Sequence, residues 1–478
     1  MNKSWILYIL IFFPLLISAQ VIDSVNVETV EPIEMEVLDT IPVFIPENGI
    51  QNNAAMRSFY ATLKNLESND AIPQKVNIVH IGDSHIQADL QTNKIRKDLQ
   101  NVFGNGGRGL IFPHNLARTN GSWDIRFSSN QGWQNHRNIS GPNGSPVGLS
   151  GIALFTNSDD FVIELNAKED ANAFNTIKIV TPKNRNSFDV AVAKKTITLE
   201  SDVPKKIIHK IKSGEAISII ADKYNVSIAA IKKANGLRSN TIRAGKTLKI
   251  PTREMQKRSI ERSEFIPLEM LADENSHYYT SQTRLEKIYL LPNKEEKSFA
   301  LNGVILENDK AGILYHNIGV NGAKLSDYNK YPMFFEQVKS LNPDLVVIAL
   351  GTNESFDNMK SDDYMNQLDI FVESIRAQNG NVAILVVTPP PSYFKRKYPN
   401  VFVADYAAKI LKDAEAKNYA VWDLFAQFGG LYGVNRNYSK GLMAKDRVHY
   451  SKAGYEQQGD LLSEAILKTY NFYKTSKE

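Results

Sequence analysis

Apolar positions along the chain fall into two alternating rhythms. Val76 to Ile81 is a short apolar run that stops at Gly82, and Ile86, Leu90, Ile95, Leu99 and Phe103 then recur at helical spacing. This predicts a strand, a tight turn and a helix. The same grammar returns far downstream. Ile313–Val320, Leu345–Leu350, Val382–Thr388 and Tyr419–Leu424 read as strands, separated by helical stretches at 361–379, 402–417 and 452–470. Strands alternating with helices imply a parallel sheet covered on both faces.

Between these halves the rhythm changes. Residues 111–204 and 254–310 hold short alternating segments such as FVIEL, TIKIV, FDVAVA and KIYLL, separated by turn residues. That pattern predicts an all-β sandwich or jelly roll inserted into the α/β domain. The insertion is itself interrupted at 205–253, where strand, helix, helix and strand fit into under fifty residues.

At the N-terminus Lys3 precedes an apolar run from Trp5 to Ile17 and then Ser18-Ala19-Gln20. A basic start, a short apolar core and a small-residue site predict a secretory signal over 1–19, cleaved after Ala19. The run is shorter than the roughly 20 residues of a membrane span, so none is expected once the signal is removed. Residues 20–55 begin with carboxylates and prolines and no Lys or Arg before Asn48, which reads as an acidic linker. The expected location is the periplasm or the cell surface. The chain has no cysteine, which excludes disulfides and thiolate metal sites. The formal charge of +4 is not gathered into long basic runs, so nucleic acid is not an expected partner.

Candidate chemistry sits at the ends of the strands. Gly82-Asp83-Ser84-His85 follows the first strand, where open α/β sheets place their sites and a helix start favours developing negative charge. Alone, Ser84 could equally cap its helix. Asp446-Arg-Val-His449 follows the last strand. A serine hydroxyl needs an adjacent base, and an imidazole serves when a carboxylate fixes its tautomer. Ser84, His449 and Asp446 are therefore the expected nucleophile, base and orienting acid. Asn317-Ile-Gly-Val-Asn-Gly322 and Gly351-Thr-Asn353-Glu end two further strands. The Ser84 and Gly322 N–H groups and the Asn353 amide would supply an oxyanion hole, with Gly82, Asp83 and Gly351 as motif neighbours. No second His lies at ligand spacing near His449, and no metal or cofactor is expected. The other histidines, His85 included, read as structural or surface. Gly104-Asn-Gly-Gly-Arg-Gly109 lacks a phosphate-loop ending and reads as a flexible connection. Trp123 and Trp133 are candidates for sugar stacking or for the β core alike.

These blocks, in this order, resemble the SGNH (GDSL-type) hydrolases, whose motifs carry Ser, Gly, Asn and Asp-x-x-His. The departures are GDSH for GDSL and Glu354 where Asp is usual; the first also occurs in the clan's peptidoglycan O-acetylesterases, which share a β insertion after block one. Residues 205–253 resemble a LysM module, with Glu215 where Asp is commoner. The resemblance implies a three-layer α/β/α catalytic domain with a flavodoxin-like sheet, built from 56–110 and 311–478 and split by the insertion. It further implies a secreted esterase removing O-acetyl groups from peptidoglycan or another N-acetylglucosamine-containing glycan. The LysM would contact glycan through Ser213, Gly214, Glu215, Asn235, Gly236 and Leu237. An acetylesterase for another polysaccharide, an O-acetyltransferase and a non-catalytic wall-binding protein are the alternatives.

Overall fold

The five apolar runs form the parallel part of one sheet. In a computed structural model, which describes residues 46–68, 74–142, 144–199, 202–257 and 260–476, the spatial order is Ile50–Gln51, Ala420–Trp422, Ala383–Val387, Leu345–Ala349, Lys75–Gly82 and Gly312–Gly319. Every pair is parallel except the edge strand Ile50–Gln51, which runs antiparallel to Ala420–Trp422. The strands at Gly312–Gly319 and Leu345–Ala349 flank Lys75–Gly82 on opposite sides, so the chain reverses its direction of winding there. Open α/β sheets bind ligands at such a switch point.

Alternate residues of each strand face opposite layers, and both layers are dry. Val76, Ile78, Leu345 and Val347 pack with Tyr60, Leu99, Leu462 and Ile466 from helices Arg57–Ser68, Leu90–Phe103 and Lys452–Thr475. Val79, Ile81, Val346 and Ile348 pack on the other face with Phe334, Phe371 and Ile410. Burial on both sides is why these strands read as unbroken apolar runs. Among the described residues no helix is long and apolar enough to cross a membrane.

The expected signal at 1–19 and most of the linker at 20–55 lie outside the described residues. The last ten residues of that span are not linker. Ile50 is buried, the Asn48 amide donates to Leu461 O at 2.8 Å, and the Trp422 indole donates to Asn48 Oδ1 at 3.0 Å. A two-residue strand has no periodicity to read, so only its partner reveals it.

The inserted segment forms two five-stranded antiparallel sheets and a three-stranded one. Leu165, Val190 and Leu290 of one five-stranded sheet and Ile177, Ile179 and Ile305 of the other share a core, and that core is continuous with the catalytic layer through Val320, Leu325 and Val338. Gln337 clamps the junction, accepting from Leu149 N and donating to Thr181 O. Strands Asp202–Lys210 and Thr247–Lys257 pair antiparallel and lead to helices Ile217–Lys223 and Ile228–Asn235. Their small core of Ile217, Ile220, Ile231, Leu248 and Ile250 is separate from the rest.

The stretch 104–109 is not a flexible connection. A Cβ on Gly107 would stand 2.6 Å from Glu307 Cα, one on Gly106 2.9 Å from Gly312 O, and Arg108 is almost wholly buried. These glycines are there for close backbone approach. The same reasoning applies at Gly319, where a Cβ would lie 2.3 Å from Gln87 N. Gly319→Ala must push helix Ser84–Gln87 outward, so it is expected to cost about 1–3 kcal/mol. Urea unfolding checks this as a lower midpoint at unchanged slope.

Candidate active site

Strand Lys75–Gly82 delivers the chain to a sharp turn. Gly82 is required there, since a Cβ would sit 2.4 Å from Ile86 Cγ1 and 2.8 Å from Ala349 O. Asp83 caps helix Ser84–Gln87 by accepting from His85 N at 2.9 Å. Ser84 is thus the first helical residue and not the cap, which leaves its hydroxyl for other work. Ser84 Oγ lies 2.9 Å from His449 Nε2, and His449 Nδ1 lies 2.7 Å from Asp446 Oδ2. The other carboxylate oxygen accepts from Val448 N and His449 N, each at 3.0 Å.

Burial alone would raise the Asp446 carboxyl, but the hydrogen bonds from the His449 ring and the two N–H groups hold it below its ordinary value. Asp446 is therefore charged at neutral pH, keeps the proton on Nδ1 and leaves Nε2 bare to accept from the serine.

The loop that presents the pair is held by residues the motif does not reveal. Arg447 sits between Asp446 and His449 with φ +55, a left-handed conformation costing a non-glycine residue about 1–2 kcal/mol. Its guanidinium stacks 4.8 Å over the Tyr438 ring and 5.6 Å over Tyr393, and its carbonyl accepts from Tyr393 N at 2.9 Å. Aromatic stacking offsets part of the strain.

The three candidate oxyanion donors fall into two groups. Among the described residues the Ser84 and Gly322 N–H groups have no hydrogen-bond acceptor. Gly322 has φ +84, and the nearest neighbour to a Cβ there is Ile139 Cδ1 at 3.8 Å. The Asn353 amide is not the free donor the sequence reading expects. Its Nδ2 donates to Asp83 Oδ2 and to Ala323 O, both at 3.0 Å. A partly buried amide takes the nearest acceptors, so an oxyanion must compete with one of them. Burial also pushes Asp83 up to about 7 and Glu354, beside it, up to about 8. Glu354 Oε1 accepts from Leu325 N at 2.8 Å, so the residue that departs from the usual Asp braces the oxyanion loop.

Several positioning groups carry no local signal. Asn317 Nδ2 donates to Ile86 O, Asp89 Oδ1 and Thr92 Oγ1, tying the second block to the nucleophile helix. Gln87 accepts from Asn321 N and donates to Thr119 and Asn120 of the insertion. Buried Arg108 bridges Asp89 to Asp124 of the insertion. These ties are long in sequence, so only the fold discloses them. Gly351, with φ +135, lets the chain pass Pro389 closely after its strand.

Of the remaining histidines, His80, His85, His209 and His316 are buried. His85 Nδ1 bonds the Tyr455 hydroxyl and its ring lies 5.3 Å from that of His449. Burial lowers His85 to about 3, which keeps it neutral behind the base. His80 and His316 are likewise buried and hydrogen bonded. Among the described residues no cluster of three or more metal-ligating side chains occurs. Trp133 is core, with its indole donating to Ser129 Oγ, whereas Trp123 is half exposed.

The six glycan candidates at 205–253 divide as well. Ser213 and Gly214 are exposed, and Gly236 ends its helix at φ +63. Glu215 is occupied with His209 Nε2 and Lys212 N, and Asn235 is bonded in both directions to the backbone of Lys249. Leu237 packs against the module core. The side chains of Glu215, Asn235 and Leu237 thus hold the module together.

Residues 304–457 match the GDSL-like lipase/acylhydrolase family, and residues 209–251 match the LysM domain. The first match spans Gly322, Asn353, Asp446 and His449, with Ser84 upstream of it. The chain is similar to a solved peptidoglycan O-acetylesterase at 19% identity, with a TM-score of 0.58 over 89% of this chain and 99% of that one. That likeness shows a shared fold. Shorter alignments reach a lipase/acylhydrolase from Enterococcus faecalis (23% identity, 32% of this chain, 76% of that one, TM-score 0.26) and an acetyl esterase (14%, 34%, 74%, 0.26). No curated protein matches the chain. The family match over residues 304–457 supports an esterase.

Proposed function

We propose that this chain is an exported serine esterase that removes O-acetyl groups from a cell-wall glycan, with peptidoglycan as the favoured polymer. The reading rests on one observation: the unbroken hydrogen-bond path Ser84–His449–Asp446 at the switch point of the sheet, in a chain that also carries a LysM domain.

Ser84 Oγ attacks the acetyl carbonyl while His449 Nε2 takes its proton. The tetrahedral oxygen carries the negative charge and accepts from the Ser84 and Gly322 N–H groups, with the Asn353 amide turning to it from Asp83 or Ala323. His449 then gives its proton to the departing sugar oxygen. Water, deprotonated by His449, attacks the acetyl-serine and releases acetate, and the proton returns to Ser84. The LysM raises the local concentration of the site along the polymer.

Purified protein incubated with O-acetylated peptidoglycan is expected to release acetate. Removing 205–253 should lower the rate at dilute polymer by about ten-fold or more and reduce co-sedimentation with de-acetylated peptidoglycan. Acetate released from acetylated xylan but not from peptidoglycan would move the substrate to another polysaccharide. Acetyl transfer to an added sugar in place of hydrolysis would make the chain a transferase.

A further inference from the structure

The short hairpin of Tyr393–Phe394 and Tyr398–Pro399 takes no part in the relay, yet it is built into both walls of the site. On one side Tyr393 N donates to Arg447 O at 2.9 Å, and the Tyr450 hydroxyl donates to Pro391 O at 2.8 Å, so its base is tied to the loop that carries Asp446 and His449. On the other side it reaches helix Thr352–Phe356, which carries Asn353. Asn400 Nδ2 donates to Ser355 Oγ at 2.8 Å, and the Phe394 ring lies 6.1 Å from that of Phe356.

Its tip is cationic and costly. Lys395 and Arg396 have φ +49 and +60, and Lys397 N donates to Phe394 O at 3.1 Å. That is a type I′ turn, where Asn-Gly is the favoured pair and each left-handed non-glycine residue is strained. Lys395, Arg396 and Lys397 are exposed, and among the described residues none forms an ion pair with a carboxylate. Lys395 and Lys397 instead lie 5.2 Å over the rings of Phe394 and Tyr398, and Tyr398 is itself 54% exposed. Strained backbone of this kind is found at ligand clamps and switch regions.

We propose that this hairpin is a substrate-binding element whose three cations engage carboxylates on the polymer next to the acetylated sugar, while Tyr398 lies against a sugar face. On the reading of the function above, on which this rests, those carboxylates belong to the peptide branches of peptidoglycan. A guanidinium fork and two ammonium groups around an exposed ring suit an acidic, peptide-bearing glycan better than a neutral one.

The test is a triple variant, Lys395→Asn, Arg396→Gly and Lys397→Gln, which removes the charges while giving the turn its favoured pair and so keeps the hairpin. KM is measured for an aryl acetate, for O-acetylated peptidoglycan, and for the same glycan stripped of its peptides by an amidase, at low and high salt. The expected result is a rise in the polymer-to-aryl KM ratio of about ten-fold at low salt. That rise should vanish in high salt and on the stripped glycan. An unchanged ratio, or an equal rise on the stripped glycan, would overturn the proposal. Should the wild type split the aryl acetate but release nothing from peptidoglycan, the functional reading fails separately. Co-sedimentation with peptide-bearing peptidoglycan then decides the hairpin, and equal retention of variant and wild type overturns it.

Discussion

Ser84→Ala is expected to lower kcat for acetyl-ester hydrolysis by about 10⁵- to 10⁶-fold, the scale at which a relay loses its nucleophile. The Ser84 hydroxyl makes its hydrogen bond to His449 Nε2, while Asp83 caps the helix. The alanine variant should therefore keep its stability within about 0.5 kcal/mol. Thermal unfolding and acetate release on the same preparation separate the two effects. Full activity with an intact fold would place the nucleophile elsewhere and remove the proposed mechanism.

The second large effect is expected at Asp446. Asp446→Asn retains the shape of the side chain but presents an amide to the ring, favours the wrong tautomer of His449 and should lower kcat by about 10⁴-fold. Its pH behaviour carries a sign that can be checked. The carboxyl is held below its ordinary value in the folded protein, and an unperturbed Asp titrates at about 3.9. The charge thus stabilises the fold fully above about pH 4, and that contribution is lost as pH falls through the lower folded value. The stability gap between wild type and Asp446→Asn should be widest near neutrality and close on acidification below pH 4. A gap that widens with acid would mean that Asp446 is not held ionised by its donors.

Where structure and sequence part company, the cause is the range of the interaction. The Asp-x-x-His spacing was sufficient to propose the pair, because two side chains three residues apart meet through local backbone alone. The Asn353 amide was legible as a donor at a strand end, but not the two acceptors that claim it. Asp83 lies on another strand's turn, and Ala323 on a third. Glu354, legible only as a departure from the usual Asp, is fully buried and accepts from Leu325 N. Glu215 and Asn235 looked like glycan contacts, and their side chains are spent on His209 and Lys249. In each case a polar side chain found a partner inside the fold that the pattern could not name.

The sequence by itself determined the parallel strands, because burial on both faces leaves an unbroken apolar run, and it determined the chemical types at the strand ends. It also determined the order Ser84, Gly322, Asn353, Asp446 and His449. Only the tertiary structure decided how these residues are aimed. The edge strand at Ile50, the packed glycines at 104–109, the buried Arg108 bridge and the strained Arg447 all depend on partners distant in the chain. So does the cationic hairpin at 393–399, whose base is fixed by contacts to the loop of Asp446 and His449 and to the helix of Asn353. Periodicity reports which face of an element is dry, a property of neighbouring residues. Which element lies against that face is a sum of long-range contacts, and no local window of sequence contains it.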